Sequence, residues 1–383
     1  MLRFLLVFSA LAFLTANLTA AEPSAITAAL AKAGENRVQL QQALDQAPPE
    51  HCEALEFLVA NMPIRDLQSL KADFLLEDAR LSYQAWNESP WKDKLLKEVF
   101  FNNVLPYASI NERRDAWRAD FRQQFLPLVA EAKTPSAAAA LLNQKIFQLL
   151  KVKYSTARPK ADQSPHESIR AGLASCTGLS VLLIDACRSV GVPARFAGTP
   201  LWTNKSGNHS WVEVWDDGWH FTGAAEPNGS ELDKAWFIER AATALREHPL
   251  HAIYAVSFQK TPLQFPLVWD RDIDYIHAVN VTDRYVARGT KLPEGQVRVM
   301  FRALDREGGR RVAAALSVTD STGKVVFEGT TNDERFDAND DLKAVLTAGQ
   351  EFQVELRLGE RKRQAKLVAD ARDRPWTWAL DGN

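Results

Sequence analysis

Residues 172–195, GLASCTGLSVLLIDACRSVGVPAR, set the tightest limit on how this chain can fold. A single thiol, Cys176, stands among small residues, and a strongly apolar run follows at once. The run TGLSVLLIDACRSVG predicts a buried helix of about four turns. Gly191 suits the position just past its last turn, and Pro193 prevents continuation. Cys176 then lies at the helix mouth. A helix N-terminus carries partial positive charge and unpaired N–H groups. Both favour a thiolate placed there, and the same N–H groups can hold an oxyanion. A cysteine used only for packing belongs deeper in the run, where Cys187 stands.

The chain has 383 residues, enough for two or three domains. Its formal net charge of −2 gives no electrostatic case for nucleic acid or an anionic membrane. At the N-terminus, MLR, then the apolar FLLVFSALAFLTANL, then Thr19-Ala20-Ala21, read as a signal peptide over 1–21. The apolar part is short for a membrane span, and no second long apolar segment follows. The mature chain is therefore expected to be exported, periplasmic or extracellular, with no stable span after cleavage. Three cysteines in an oxidising compartment leave one over. A Cys52–Cys187 disulfide would leave Cys176 free; both could equally be buried thiols.

Residues 22–155 show apolar positions at helical spacing, broken by prolines at 48–49, 63, 90 and 106, and read as a helical packing domain. Ser136, before an alanine-rich run, is expected near a helix start. Residues 156–256 gather the candidate chemistry, with five of the 11 tryptophans between 202 and 236. Residues 257–383 show alternating segments such as VRVMFRAL and KVVFEGTT between turn signals, and read as an antiparallel β-sandwich with an accessory role.

A thiolate needs a base that a third group orients. His209 opens SWVEVW, an alternating strand, with DDG as a turn and WHFTGA returning. His166, His220 and His251 are rival bases. A Cys176–His209–His220 metal site fits no standard zinc spacing, so neither metal nor cofactor is expected.

The order of these elements resembles the transglutaminase-like cysteine-enzyme superfamily. The matching residues are Cys176 with Gly178, Gly191-Val192-Pro193-Ala194-Arg195, His209-Ser210-Trp211-Val212-Glu213-Val214, Gly218-Trp219 and Glu226-Pro227, over about residues 150–240. The resemblance implies an α+β, papain-like core of nucleophile helix and antiparallel sheet. It implies Cys176 as nucleophile and His209 as general base and acid. The family's usual aspartate falls at Gly223, so Glu226 is expected to orient the imidazole in its place. Gln163, Trp202 and Trp211 are candidates for the oxyanion site and cleft lining, and the Cys176 backbone N–H for the first oxyanion donor. Arg195 is expected as a structural ion-pair partner.

The function expected is thiol-dependent acyl transfer on amide bonds, with peptide hydrolysis or deamidation favoured over glutamine–amine cross-linking. A protein or peptide is the expected substrate, and a cell-wall polymer a further partner. The alternative is a catalytically silent fold that serves as a binding module for envelope protein or polysaccharide, since fold does not fix function.

Overall fold

The computed structural model describes residues 24–381, so the leader expected at 1–21 lies outside the described residues. The chain begins with α1 (Ala25–Lys32), α2 (Arg37–Gln46), α3 (Cys52–Asn61), α4 (Ile64–Leu67), α5 (Ala72–Asn87), α6 (Lys97–Asn103), α7 (Arg118–Phe125) and α8 (Pro135–Leu149). Pro63 caps the start of α4, and Pro90 and Pro106 follow α5 and α6. Thr134, not Ser136, caps α8: its side chain accepts from the Ala137 N–H at 3.2 Å. Pro135 takes the first helical position, where its fixed φ and missing donor cost nothing, and so sets the cap one residue earlier.

The middle of the chain forms β1 (Lys153–Tyr154), α9 (Pro165–Ala171), β2 (Leu173–Ala174), α10 (Cys176–Ser189), β3 (Ala194–Thr199), β4 (His209–Trp215), β5 (Trp219–Thr222), α11 (Ile238–Ala241), β6 (Tyr254–Val256), β7 (Leu263–Gln264), β8 (His277–Asn280) and α12 (Thr282–Val286). Strands β3 to β8 make one antiparallel sheet in the order β5-β4-β3-β6-β8-β7. It runs past residue 256, because β8 pairs with β6, Tyr254 opposite Asn280. The C-terminal strands are β9 (Gln296–Leu304), β10 (Ala315–Thr319), β11 (Val325–Thr330), β12 (Leu342–Thr347), β13 (Glu351–Leu358), β14 (Arg361–Val368) and β15 (Trp376–Ala379). They form the sheets β11-β10-β13-β14 and β12-β9-β15. Both contribute to one apolar cluster that includes Phe301, Leu316, Val354 and Leu356.

Helix α10 is buried at every residue from Thr177 to Ser189, as an apolar run without a polar face requires. It packs against α7, α8, α9, β3 and β4. Its C-terminus closes as a Schellman motif: Val192 N–H donates to Cys187 O at 2.9 Å and Gly191 N–H to Arg188 O at 3.1 Å. Gly191 has φ +79°, and a Cβ there would lie 2.4 Å from the Ala85 carbonyl oxygen on α5. The glycine therefore serves both the turn and the approach of α5. All three cysteines are free thiols, so the Cys52–Cys187 pairing does not form; Cys187 is buried inside α10 and Cys52 opens α3. Among the described residues no helix is long and apolar enough to cross a membrane.

Gly191→Ala meets both an unfavourable φ and a backbone clash. It is expected to cost more than about 1 kcal/mol, read as a lower urea midpoint with the m-value unchanged.

Candidate active site

Cys176 is the first residue of α10. Ser175 precedes it in extended conformation with no side-chain cap on the helix. The Ser175 hydroxyl instead donates to Ala161 O at 2.9 Å. No side chain therefore competes at the helix start for a developing oxyanion. Thr177 and Ser210 hydroxyls meet at 3.1 Å and fasten α10 to β4. His209 opens β4 opposite Thr199 of β3. Gly198 permits the close pairing there, since a Cβ would lie 2.5 Å from the His209 carbonyl oxygen.

The imidazole is 1 % exposed and boxed by aromatic rings. Trp236 and Phe237 stand at 4.8 and 4.9 Å between centroids, and Trp211 and Trp202 at 5.8 and 5.9 Å. Three of the five tryptophans of this segment thus form a casing for one histidine, while Trp215 and Trp219 pack against each other.

The carboxylate against the imidazole comes from an unexpected place. Asp337, on the connection between β11 and β12, puts Oδ2 3.5 Å from His209 Nδ1. Polar atoms of Cys176, His209 and Asp337 all lie within 4.8 Å of one another. The C-terminal segment, expected to be accessory, therefore reaches the site. Its connecting loop is firmly held. Arg311 donates to the carbonyls of Phe336, Asp337 and Asp340 at 2.6, 2.9 and 3.2 Å. The Tyr154 hydroxyl accepts from Ala338 N–H at 3.0 Å, and Asn339 N–H donates to Asp337 Oδ1 at 2.9 Å. Burial disfavours the charged imidazole, but Asp337 and the Cys176 sulfur outweigh it and hold the His209 pKa well above its ordinary value. Burial likewise works against the Asp337 carboxylate, yet His209 keeps its pKa below the usual range.

Glu226, expected to orient His209, contacts Trp236 instead: its Oε2 accepts from the indole N–H at 2.9 Å. Its hydrogen bond is to that ring, which stands against the imidazole. The Glu226 carboxylate lies over Gly223, where a Cβ would be 2.2 Å from Oε2. The glutamate thus fills the space that a side chain at 223 would take. Asn143 of α8 pins this turn, donating to Gly223 O at 2.8 Å and accepting from Ala225 N–H at 2.9 Å.

The remaining candidates divide. Gln163 packs beside Gly178, but its amide donates to Leu173 O at 3.0 Å, so that hydrogen is committed away from an oxyanion. Trp202 lies parallel to Trp211 and beside His209, 3 % exposed, a wall for the imidazole rather than open cleft. Trp211 is fully buried, donates to the Tyr285 hydroxyl at 2.6 Å and belongs to the core. His220 is held by Asp233 at 2.8 Å, His251 lies 2.9 Å from Leu201 O, and His166 packs beside Asp115. None of the three joins the cluster among the described residues. Arg195 pairs with Glu213 at 2.7 Å and covers the Trp219 ring at 3.5 Å. A cavity of about 960 Å³ is lined by Phe147, Tyr154, Glu226, Trp236, Phe336 and Asp340 among others.

Burial pushes Glu226 up to about 7. Its protonated form fits the native state, so wild-type stability falls as pH rises from the ordinary carboxyl range through about 7. Glu226→Gln keeps an acceptor for Trp236 and removes the titration. The variant should match wild type near pH 4 and exceed it by about 3 kcal/mol near pH 8, measured by denaturant unfolding at both pH values.

Residues 123–223 match the model of the transglutaminase-like superfamily. No curated protein matches the chain. Among solved structures it is similar to a candidate cysteine protease from Cytophaga hutchinsonii, at 16% identity and TM-score 0.25 over 29% of this chain and 38% of that one. It is also similar to red sea bream transglutaminase, at 10% identity and TM-score 0.32 over 74% of this chain and 66% of that one. The chain thus spans less than two thirds of the first of these proteins and just under two thirds of the second. The family match starts within α7, earlier than the motifs placed it, and stops short of Glu226. Residues 123–223, which carry Cys176 and His209, are thus similar to the transglutaminase-like superfamily, and in the structure these two side chains meet Asp337.

Proposed function

We propose that this protein is an exported cysteine enzyme that cleaves amide bonds of a protein or peptide through an acyl-enzyme. The observation that carries the reading is the meeting of three groups: a thiol at an uncapped helix start, a buried imidazole and the Asp337 carboxylate. His209 takes the Cys176 proton, and the sulfur attacks the carbonyl carbon. The Cys176 N–H and its neighbours in the first turn of α10 face the developing oxyanion. Collapse breaks the C–N bond, and the imidazolium returns its proton to the leaving amine. Water, deprotonated by His209, then adds to the thioester and releases the acid and the thiol. Asp337 is the counter-ion of the imidazolium, and Glu226 positions the ring through Trp236.

Hydrolysis is favoured over transfer to an amine because transfer requires water to be kept from the thioester. Cys176 is only partly buried, which favours access for water. Export rests on the N-terminal leader in the sequence. A cell-wall polymer is the further ligand proposed for the C-terminal sheets.

The test is iodoacetamide alkylation resolved by residue, in the presence of chelator. At about pH 6, Cys176 should react faster than Cys52, and His209→Ala should abolish the difference. Asp337→Asn should lower turnover of a responsive peptide about 10²-fold or more, beyond the effect of Glu226→Gln. Equal rates for Cys176 and Cys52, unchanged by His209→Ala, would instead establish the silent binding fold.

A further inference from the structure

The Cys176–His209–Asp337 cluster has a shape that an acid–base relay does not need. In a relay the nucleophile and the carboxylate use opposite nitrogens of the ring. With hydrogen bonds of about 3 Å on each side, they end roughly 7 Å apart. Here sulfur, ring nitrogen and carboxylate oxygen all fall within 4.8 Å of one another. That compact triangle is the outline of a metal-ligand set. Nitrogen and oxygen ligands at ~2.1 Å on a tetrahedral zinc ion stand about 3.4 Å apart. His209 Nδ1 and Asp337 Oδ2 are 3.5 Å apart. One edge of the tetrahedron already has its length, and the sulfur needs to close by up to about 1.2 Å.

A second, independent observation points the same way. The His209 side chain is 1 % exposed, yet neither ring nitrogen has a hydrogen-bond partner. The Asp337 contact is an ion pair at 3.5 Å, not an aligned hydrogen bond. A buried polar group left so is costly unless something else engages it. The donor chemistry selects the class of ion: a thiolate and an imidazole suit zinc, whereas magnesium and calcium require oxygen ligands. The outer shell is also in place. Asn339 N–H holds Asp337 Oδ1 at 2.9 Å and leaves Oδ2 to the ion.

We infer that Cys176, His209 and Asp337 form a reversible zinc-binding site, with the fourth position taken by water. Binding sends the thiol proton, and the ring proton where one is present, to solvent, with no change of oxidation state. Affinity therefore rises with pH. Zinc and an acyl group exclude each other at sulfur, so the ion acts as an inhibitor. It also ties the β11–β12 loop to the core. Its inhibitory role rests on the acyl-transfer reading; the binding of the ion does not.

The test uses the full chain, stripped with a chelator and titrated with zinc against a chromogenic competitor. One ion should bind per chain. Cys176→Ser and Asp337→Asn should each weaken binding by about ten-fold or more, with circular dichroism confirming that both variants fold. Cobalt should give a sulfur-to-metal charge-transfer band in wild type that is missing in Cys176→Ser. Absence of binding in wild type, or binding that neither variant alters, would overturn the inference. The second result would place the ion elsewhere, for example at His51 and Cys52. Residue-resolved alkylation in chelator reads the enzyme proposal separately, so either can fail alone.

Discussion

Two buried guanidiniums at the closed end of α10 fix where its open end can be. Arg188 donates to the carbonyls of Asn103, Pro106, Ala108 and Ala194. Arg118 donates to Val104, Leu105, Pro106 and Arg188 and pairs with Asp78 at 2.9 Å. Burial pulls Arg188 down to about 10, which still leaves it charged at neutral pH. Most of these carbonyls lie at the end of α6 or in the turn after it, where no helix can satisfy them. Removing either arginine would leave several of them dry, a loss of a few kcal/mol. The long helical N-terminal region thus anchors the back of the nucleophile helix, and only its front, with Cys176, stays available.

The same logic of burial explains the histidine. An imidazole among three tryptophans and a phenylalanine is not stable as a lone cation. Asp337 makes the charged form tolerable, and Arg311 holds Asp337 by gripping the carbonyls around it. The site therefore depends on contact between the middle and C-terminal parts of the chain. Tyr154 joins them directly, from β1 to the amide of Ala338.

What the sequence disclosed follows the range of the interactions. The nucleophile helix, its glycine stop and the hairpin carrying His209 are local patterns, and the chain folds them at Cys176–Ser189, His209–Trp215 and Trp219–Thr222. Glu226 was sought on the strand next to His209, and its carboxylate does fill the space above Gly223. Asp337 could not be found that way. It lies over a hundred residues from His209 in a loop of no periodicity, among the acidic residues of DERFDANDD. Its only local signature is the turn in which Asn339 N–H returns to Oδ1. The place of Trp211 is hidden from the sequence for a related reason. Spacing shows that a tryptophan is near a site, but not whether its indole faces a cleft or, as here, the Tyr285 hydroxyl.

Two carboxyls near one imidazole divide the work by their surroundings. Asp337 has His209 as its charge partner and the Asn339 N–H on its other oxygen, so it stays ionised. Glu226 is fully buried, and this outweighs the pull of His209 and the indole N–H of Trp236, so its pKa is pushed up to about 7. A neutral Glu226 avoids a second negative charge close to Asp337. An ionised Glu226 would draw on the same imidazolium and weaken the hold of Asp337 on it. The asymmetry follows from the surroundings: one histidine charge supports one ionised carboxylate, and burial favours the protonated form of the other, which accepts from the Trp236 indole beside the ring.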